Sequence, residues 1–370
     1  MRTDADSRIV MTLDAGGTNF VFSAIRANRE IVAPITLPSA AGQLDLCLQT
    51  IVDGFSRVRA ALPQPSVAIS FAFPGPADYA SGIIGDLGNL PAFRGGVALG
   101  PMLREKFGLP VFINNDGDLF AYGEAIAGLL PEINAKLSAA GSPKQFGNLF
   151  GITLGTGFGG GIVRNGALFV GDNGAAGEIW IMRNKLHNRA FAEEGASIRA
   201  VEQVYLAHAK TTHPQPPSPK EIFEFATGRA GGDRAAALRA FDELGETVGD
   251  ALANAMTLID GLVVIGGGLS GAASLFLPRI VAEMNGTIET LQGVKIPRME
   301  LKAFNLEDEE QLRAFLCGDV RVLSVPGSDA KVAYDPLKRI GVGLSRLGTS
   351  QAVAIGAYAF ALHALDGAAR

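Results

Sequence analysis

Between Gly151 and Gly177 the chain carries ten glycines in 27 residues, where an average share of about 7% gives about two. No Gly-X-Y period runs through them, so they are not collagen-like. The segment reads as strand, turn and strand: Leu149 to Leu154, Gly155-Thr156-Gly157, then Gly161 to Arg164. An ordinary hairpin needs one or two glycines. Backbone this bare is required where a ligand, or another stretch of chain, comes closer than a side chain permits. Two shorter clusters repeat the arrangement. Asp14-Ala15-Gly16-Gly17-Thr18-Asn19 follows an apolar run from Ile9, and Gly266-Gly267-Gly268 follows Leu262 to Ile265. The fold must therefore present three bare turns at strand ends.

Composition narrows the classes that can do so. The 370 residues are 48% apolar and 19% charged, against a globular average of about 25% charged, which excludes disorder. The length fits two domains or one large α/β unit. A formal net charge of −5 argues against a surface built to coat nucleic acid or an anionic membrane. Two cysteines, Cys47 and Cys317, cannot form a disulfide framework and fit a reducing compartment. Met1 to Arg8 is polar, without the apolar core of a signal peptide. Apolar runs are strand-sized and broken by glycine, short of a membrane span. The expectation is a soluble cytoplasmic protein.

Strands are expected over Ile9–Asp14, Phe20–Arg26 and Ile31–Leu37, then a helix over Gln43–Leu62, whose apolar residues recur at helical spacing. A buried strand over Val67–Phe73 enters the turn Pro74-Gly75-Pro76. Met102–Phe107 reads as a helix, Val111–Asn114 as a strand and Leu119–Leu130 as a helix. The stretch 131–146 is polar and reads as a hinge or surface element, which places a first domain at 1–130 and a second at 131–350. Later helices are expected over Ile198–Ala209, Arg234–Leu258 and Ala352–Leu365. The charged, irregular stretch 302–346 has no assignable pattern and is expected to be an insertion that forms a lid or a dimer contact.

In the first turn, glycines let successive N–H groups close on an anion, and the Thr18 hydroxyl adds a donor. Asp14 cannot face a phosphate directly; a hydrated Mg²⁺ between them would resolve the repulsion. An ordinary hairpin turn with an Asx cap is the competing reading. The second turn repeats the pattern with Thr156, and the flat backbone of the third could lie against a planar ring. Spacing excludes two alternatives. No GxxxxGK[ST] exists, so there is no P-loop. Gly155, Gly157 and Gly160 match GxGxxG, but strand residues Ile162 and Val163 follow, so a Rossmann unit fails on context.

Taken in order, DAGGTN, GTGFGGG and VIGGGLS resemble the sugar-kinase, actin and heat-shock-protein ATPase superfamily, and within it the ROK family. Phe73-Pro74-Gly75-Pro76, Asn89-Leu90-Pro91-Ala92-Phe93-Arg94-Gly95, Asn114-Asn115-Asp116, Tyr122-Gly123-Glu124 and Gly174-Ala175-Ala176-Gly177-Glu178 add to the likeness. It runs from about Ile9 to Asn285 and resumes in the C-terminal helix. The resemblance implies an α/β protein of two ribonuclease-H-like (actin-like ATPase) domains with ATP and sugar in a cleft between them, the helix at 351–370 joining the first. It implies that Asp14 orients Mg²⁺ through water and that Gly16, Gly17, Thr18 and Asn19 form the γ-phosphate turn. Thr156 and Gly157 would hold phosphates, with Gly266, Gly267 and Gly268 near adenosine. Gly75, Asn89, Asn115 and Asp116 would contact the sugar, Asp116 as general base, and Glu178 would bind a further hydroxyl. The family's downstream sugar-binding glutamate corresponds to Glu193 or Glu194.

Chemistry supports the base. Phosphoryl transfer demands positioning and charge stabilisation more than covalent help, and a carboxylate within reach of a hydroxyl suffices. Asn114 and Asn115 can read other hydroxyls without competing for the proton. The bland alternative is a turn in which Asp116 and Asp118 cap the helix at Leu119. The sequence also departs from the family. A histidine that contacts sugar and zinc is replaced by Ile181, and Met182 to Ala196 holds no cysteine, so zinc is not expected. His187 alone is no metal site. Trp180 could stack on a sugar, or be an ordinary packed aromatic.

The function expected is ATP-dependent phosphorylation of a hexose or related sugar, with ATP and Mg²⁺ as cofactors, no nucleic-acid or membrane partner, and a homodimer permitted by the apolar composition. The alternative is a catalytically degenerate sugar- or nucleotide-binding regulator on the same fold.

Overall fold

A computed structural model describes residues 3–16, 18–75, 77–85, 93–210 and 215–368. The chain opens with the antiparallel pair β1 (Val10–Ala15) and β2 (Asn19–Arg26), followed by β3 (Arg29–Glu30), β4 (Ile35–Pro38) and helix α1 (Leu44–Ala61). Then come β5 (Ala68–Ala72), the short pair β6 (Ala77–Asp78) and β7 (Ile83–Ile84), helix α2 (Leu99–Phe107), β8 (Val111–Asn114) and α3 (Asp116–Ala127). Next are α4 (Leu129–Ala139), β9 (Leu149–Leu154), β10 (Phe158–Arg164), β11 (Ala167–Phe169), α5 (Ile198–His208), α6 (Pro219–Thr227) and α7 (Arg234–Ile259). The last third holds β12 (Leu262–Gly266), α8 (Ala273–Met284), β13 (Thr287–Glu289), β14 (Lys295–Pro297), β15 (Lys302–Asn305), α9 (Glu309–Cys317), β16 (Arg321–Ser324), β17 (Lys331–Tyr334), β18 (Arg339–Leu344) and α10 (Thr349–Ala368).

These elements form two compact units. One comprises Met1–Gly128, Gly161–Gly177 and Arg346–Arg370; the other comprises Leu129–Gly160 and Glu178–Ser345. In the first, the sheet runs β3-β2-β1-β5-β8, with β4 also paired to β2. β1 is antiparallel to β2 but parallel to β5, and β5 is parallel to β8. The sheet is buried on both faces. On one side Met11, Leu13, Phe20 and Phe22 pack with Phe55, Phe71 and Phe107, an aromatic chain in which Phe22 and Phe55 meet edge to face at 5.2 Å. Fully burying each such ring contributes about 1.5–3 kcal/mol. On the other, Val10, Ile25 and Ala68 pack against Tyr358, Ala361 and Leu362 of α10. Alternation along a strand then puts Asp14, like Val10 and Thr12, on the α10 face.

In the second unit β9, β12, β18 and β15 run parallel in that order. Helices α7 and α8 pack closely enough that a Cβ on Gly249 would lie 2.9 Å from the Ile280 carbonyl. Two expectations are corrected. The stretch 131–146 is not a hinge at its start: α4 buries Leu129, Leu130, Ile133 and Leu137, a stripe at helical spacing diluted by polar neighbours. Nor is 302–346 an insertion throughout, because β15 and β18 belong to the unit's own sheet. Among the described residues no helix is long and apolar enough to cross a membrane.

Candidate active site

In the first unit the sheet register sets the geometry. Asp14 pairs with Ala72, and Ala72 with Asn114, so the carboxyl ends of three parallel strands line up, with Asp116 two residues further on. In open α/β sheets, ligands bind beyond this edge. Asp14 is exposed and borders a cavity of about 500 Å³ with Thr12, Ser23, Ser350 and Gln351. Asp116 is accessible to solvent yet surrounded by protein. Loss of hydration raises its pKa above the ordinary carboxylate value, the nearby Asp14 charge pushes the same way, and the Gly117 amide opposes both. Such a carboxylate holds a proton more readily than a free one, which suits a group that must accept one.

The helix cap falls to Asn115, not to Asp116 or Asp118. Asn115 Oδ1 accepts from the Gly117 amide at 2.8 Å, and α3 starts at Asp116, three residues earlier than its apolar periodicity suggests. Asn115 Nδ2 donates to Tyr79 Oη at 3.5 Å, and that hydroxyl donates to the Phe73 carbonyl at 3.0 Å. A Cβ on Gly75 would lie 2.9 Å from the same oxygen. Gly75, Tyr79 and Asn115 therefore form one polar cluster. Tyr79 escapes sequence reading because its signal is only a tyrosine shortly after a Pro-Gly turn. In the first glycine turn, Thr18 and Asn19 are exposed, and the Thr18 carbonyl accepts from Ser39 N at 2.9 Å. Gly16 is pressed against its own turn, its missing Cβ 2.8 Å from the Asn19 carbonyl oxygen. Gly17 and Asn89 lie outside the described residues.

In the second unit, β9 and β12 run parallel with Thr153 opposite Gly266, so the second and third glycine turns emerge side by side. The Cβ position of Gly155 is 3.9 Å from the Gly268 amide nitrogen. The glycines of the third turn differ in purpose. Gly267 has φ 89° and ψ 172°, a region essentially reserved for glycine, and its Cβ would lie 2.3 Å from the Leu154 carbonyl oxygen. Gly268 is exposed, with nothing within 4 Å of the Cβ position. Gly267 is thus explained by the fold, whereas Gly268 is open backbone. In the second turn Thr156 is exposed, and the Gly155 amide closes onto the Gly157 carbonyl at 3.0 Å.

Glu178 is exposed and accepts from Trp180 Nε1. Trp180 is half-buried and meets Phe191 edge to face at 5.6 Å, a packed aromatic. Ile181 is 62% exposed. Glu193 and Glu194 diverge. Glu193 Oε2 accepts from Phe158 N at 3.0 Å, whereas Glu194 pairs with Arg199 at the surface. The segment between them and Trp180 closes through an Arg183–Phe191 bridge and through buried Asn184, whose Oδ1 accepts from the Leu186 and His187 amides at 2.9 and 3.0 Å. His187 is exposed. Among the described residues no group of three or more His, Cys, Asp or Glu could hold a metal ion.

A model of the ROK family matches residues 10–313. An N-acetyl-D-glucosamine kinase of Photobacterium profundum is 30% identical over 291 residues, 73% of this chain and 88% of that relative. The crystal structure of a glucokinase from Parabacteroides distasonis superposes with a TM-score of 0.90 at 55% identity, covering 98% of this chain and 99% of the other. A ROK family glucokinase from Streptomyces griseus, in complex with glucose and AMPPNP, shares the fold at 19% identity, with a TM-score of 0.58 over 95% of this chain and 98% of its own. The architecture is the two-domain actin-like ATPase fold.

Proposed function

We propose that this chain, which belongs to the ROK family, transfers the γ-phosphoryl group of ATP to a hydroxyl of a hexose or related sugar. The observation that carries the reading is Asp116, solvent-accessible at the start of α3 just beyond the carboxyl end of β8, on the same sheet edge where the register places Asp14. As general base it takes the proton of the attacking hydroxyl, while Asn115 and Tyr79 beside it suit further sugar hydroxyls. Glucose, named for the 55% identical neighbour, and N-acetylglucosamine, named for the 30% identical relative, are the first sugars to try.

The residues present fit ATP and Mg²⁺. Thr156 and Gly268 are exposed turn backbone, and no atom lies within 4 Å of where a Cβ on Gly268 or Gly271 would stand, so phosphate and a flat base could approach. Mg²⁺ is usually held by one or two carboxylates together with the substrate's own phosphates, and exposed Asp14 would serve through water. When bound, the ion neutralises charge on the transferring group. Free Cys47 and Cys317 suit a cytoplasmic setting.

The test is ADP release from ATP with each sugar, for the wild type and Asp116→Asn. Turnover should fall about 10²–10⁴-fold in the variant, the range for removing a general base, with sugar binding by calorimetry retained. Near-normal turnover of the variant would remove Asp116 from the role.

A further inference from the structure

Strands β15 and β18 are parallel neighbours, with Lys302 opposite Arg339, and each is preceded along the chain by a two-stranded hairpin outside the main sheet. β14 ends five residues before β15 begins, and β17 ends five before β18. Both hairpins therefore leave the sheet at the amino-terminal ends of its strands. Gly286, Pro297 and Arg298 at the foot of one, and Pro336 and Lys338 at the foot of the other, line a single groove of about 380 Å³. The glycine turns of this unit sit at the opposite edge, past the carboxyl ends of β9 and β12, so neither hairpin lids them.

The β16–β17 hairpin is firmly rooted and left bare. Asp335, just past β17, accepts from Asp319 N and Leu337 N, both at 3.1 Å, and from Arg339 Nη1 at 2.5 Å. Arg339 is fully buried, its guanidinium over the Phe315 ring at 5.4 Å. One carboxylate thus ties both feet of the hairpin to the core. Beyond the feet, every residue of β13, β14, β16 and β17 is exposed. Among the described residues, ten of the eighteen exposed large apolar side chains fall within 288–334. The register sets Leu323 opposite Val332 and Arg321 opposite Tyr334, so Leu323, Val332 and Tyr334 share one face. A two-stranded ribbon with apolar side chains and open edges is marginally stable alone and prone to pairing, a surface that natural chains keep covered.

We propose that these two hairpins are the surface on which a second copy of this chain docks, giving a homodimer with the hairpins of both copies at its centre. The area suffices. At about 150–200 Å² for a fully exposed large residue, the ten side chains present about 900 Å² of apolar surface. A standard interface takes about 800 Å² from each partner, a little over half of it apolar. Charge favours a like partner. Outside the buried Asp335, the segment 319–335 carries Asp319 and Asp329 against Arg321 and Lys331, so two copies meet without repulsion and a polyanion finds no basic stripe. One face used by both copies closes into a two-fold dimer.

Sedimentation equilibrium of the full chain should give twice the mass of one chain at micromolar concentration. Leu323→Glu and Tyr334→Glu alter side chains that are 45% and 48% exposed, so far-ultraviolet circular dichroism should not change. Each should weaken the dimer more than about 100-fold, because it buries a carboxylate where an apolar anchor stood. Leu258→Glu, at an 86% exposed residue of α7, should leave the mass as it is. Without any substitution, amide exchange across 319–335 should slow as the wild type is concentrated through its dissociation constant, while exchange in β9 stays constant. A wild type still monomeric at about 100 μM, weaker than the μM to pM range of standard interfaces, would overturn the proposal. So would a dimer that survives both substitutions, or exchange across 319–335 that is independent of concentration. Co-sedimentation of a monomeric wild type with phosphatidylcholine–phosphatidylserine vesicles, lost in Leu323→Glu, would overturn it in favour of a membrane surface.

Discussion

Adjacent glycines of the third turn make opposite predictions. Gly267→Ala puts a methyl 2.3, 2.6 and 2.7 Å from Leu154 O, N and C, backbone atoms of β9 that cannot swing aside. It also forces alanine to φ 89° and ψ 172°. The conformation costs about 1–3 kcal/mol and the overpacking a similar amount, together about 2–6 kcal/mol. For a unit of about 200 residues that lowers Tm by about 5–20 °C. Gly268→Ala meets nothing within 4 Å, so its stability should change by no more than about 0.5 kcal/mol. If nucleotide lies against this turn, however, the methyl occupies the ligand's space, and the KM for ATP should rise about tenfold or more, equivalent to about 1.4 kcal/mol, with the sugar KM unchanged. Differential scanning fluorimetry and initial-rate kinetics on both variants make the comparison. A Gly268→Ala enzyme with wild-type Tm and wild-type ATP kinetics would refute the assignment of this turn to nucleotide. A Gly267→Ala protein with unchanged Tm would refute the close approach of β9 and β12.

Other perturbations have equally definite outcomes. Because the folded-state pKa of Asp116 is raised, the folded protein binds that proton more tightly than the unfolded chain, and ionising the group costs stability above its folded pKa. Asp116→Asn should therefore raise Tm at neutral pH. The acid limb of wild-type kcat/KM, which reports the free enzyme, should also lie above the ordinary carboxylate range; a variant less stable than the wild type, or a limb at an ordinary carboxylate pKa, counts against the described environment. Asn184→Ala leaves the Leu186 and His187 amides without their side-chain acceptor and should cost about 1–3 kcal/mol. Chelators, by contrast, should leave Tm unchanged; stoichiometric zinc in a metal analysis would contradict this. Glu124 is fully buried and accepts from the Arg346 and Leu347 amides at 3.1 and 3.0 Å. Glu124→Ala should therefore cost about 2–5 kcal/mol through unsatisfied donors and a cavity, read by chemical denaturation.

What sequence reveals of this molecule is what is local. Each hairpin and its glycine turn sits within about twenty residues, and alternation plus Gly-Thr chemistry is enough to find β1, β2, β9 and β10. Strand β8 coincides with its apolar run, Val111–Asn114. The far strands of the sheet in the second unit stay hidden because β15 and β18 pair with strands distant in sequence, and four to six residues carry little periodic signal. The α4 stripe is hidden by composition, four apolar residues among polar ones. The glycine surplus is legible but its cause only partly so. Gly123 and Gly356 let α3 and α10 approach until a Cβ on either would lie 1.9 Å from a carbonyl of the other helix, and Gly267 answers to β9. Ligand approach accounts for fewer glycines than their clustering suggests. In the site, Asp14 and Asp116 can be chosen by residue type and position after strands. Choosing between Glu193 and Glu194 requires side-chain direction in a short 3₁₀ turn, which no periodicity encodes.

The central claim is phosphoryl transfer from ATP to a sugar, and the most direct measurement is ADP release with ATP, Mg²⁺ and a panel of hexoses and N-acetylhexosamines, each omitted in turn. The account predicts release that depends on one or a few sugars, with one equivalent of sugar phosphate formed per ADP. Release independent of sugar, or no release with any member of the panel while sugar or nucleotide still binds, would contradict it and favour a binding protein built on the same fold.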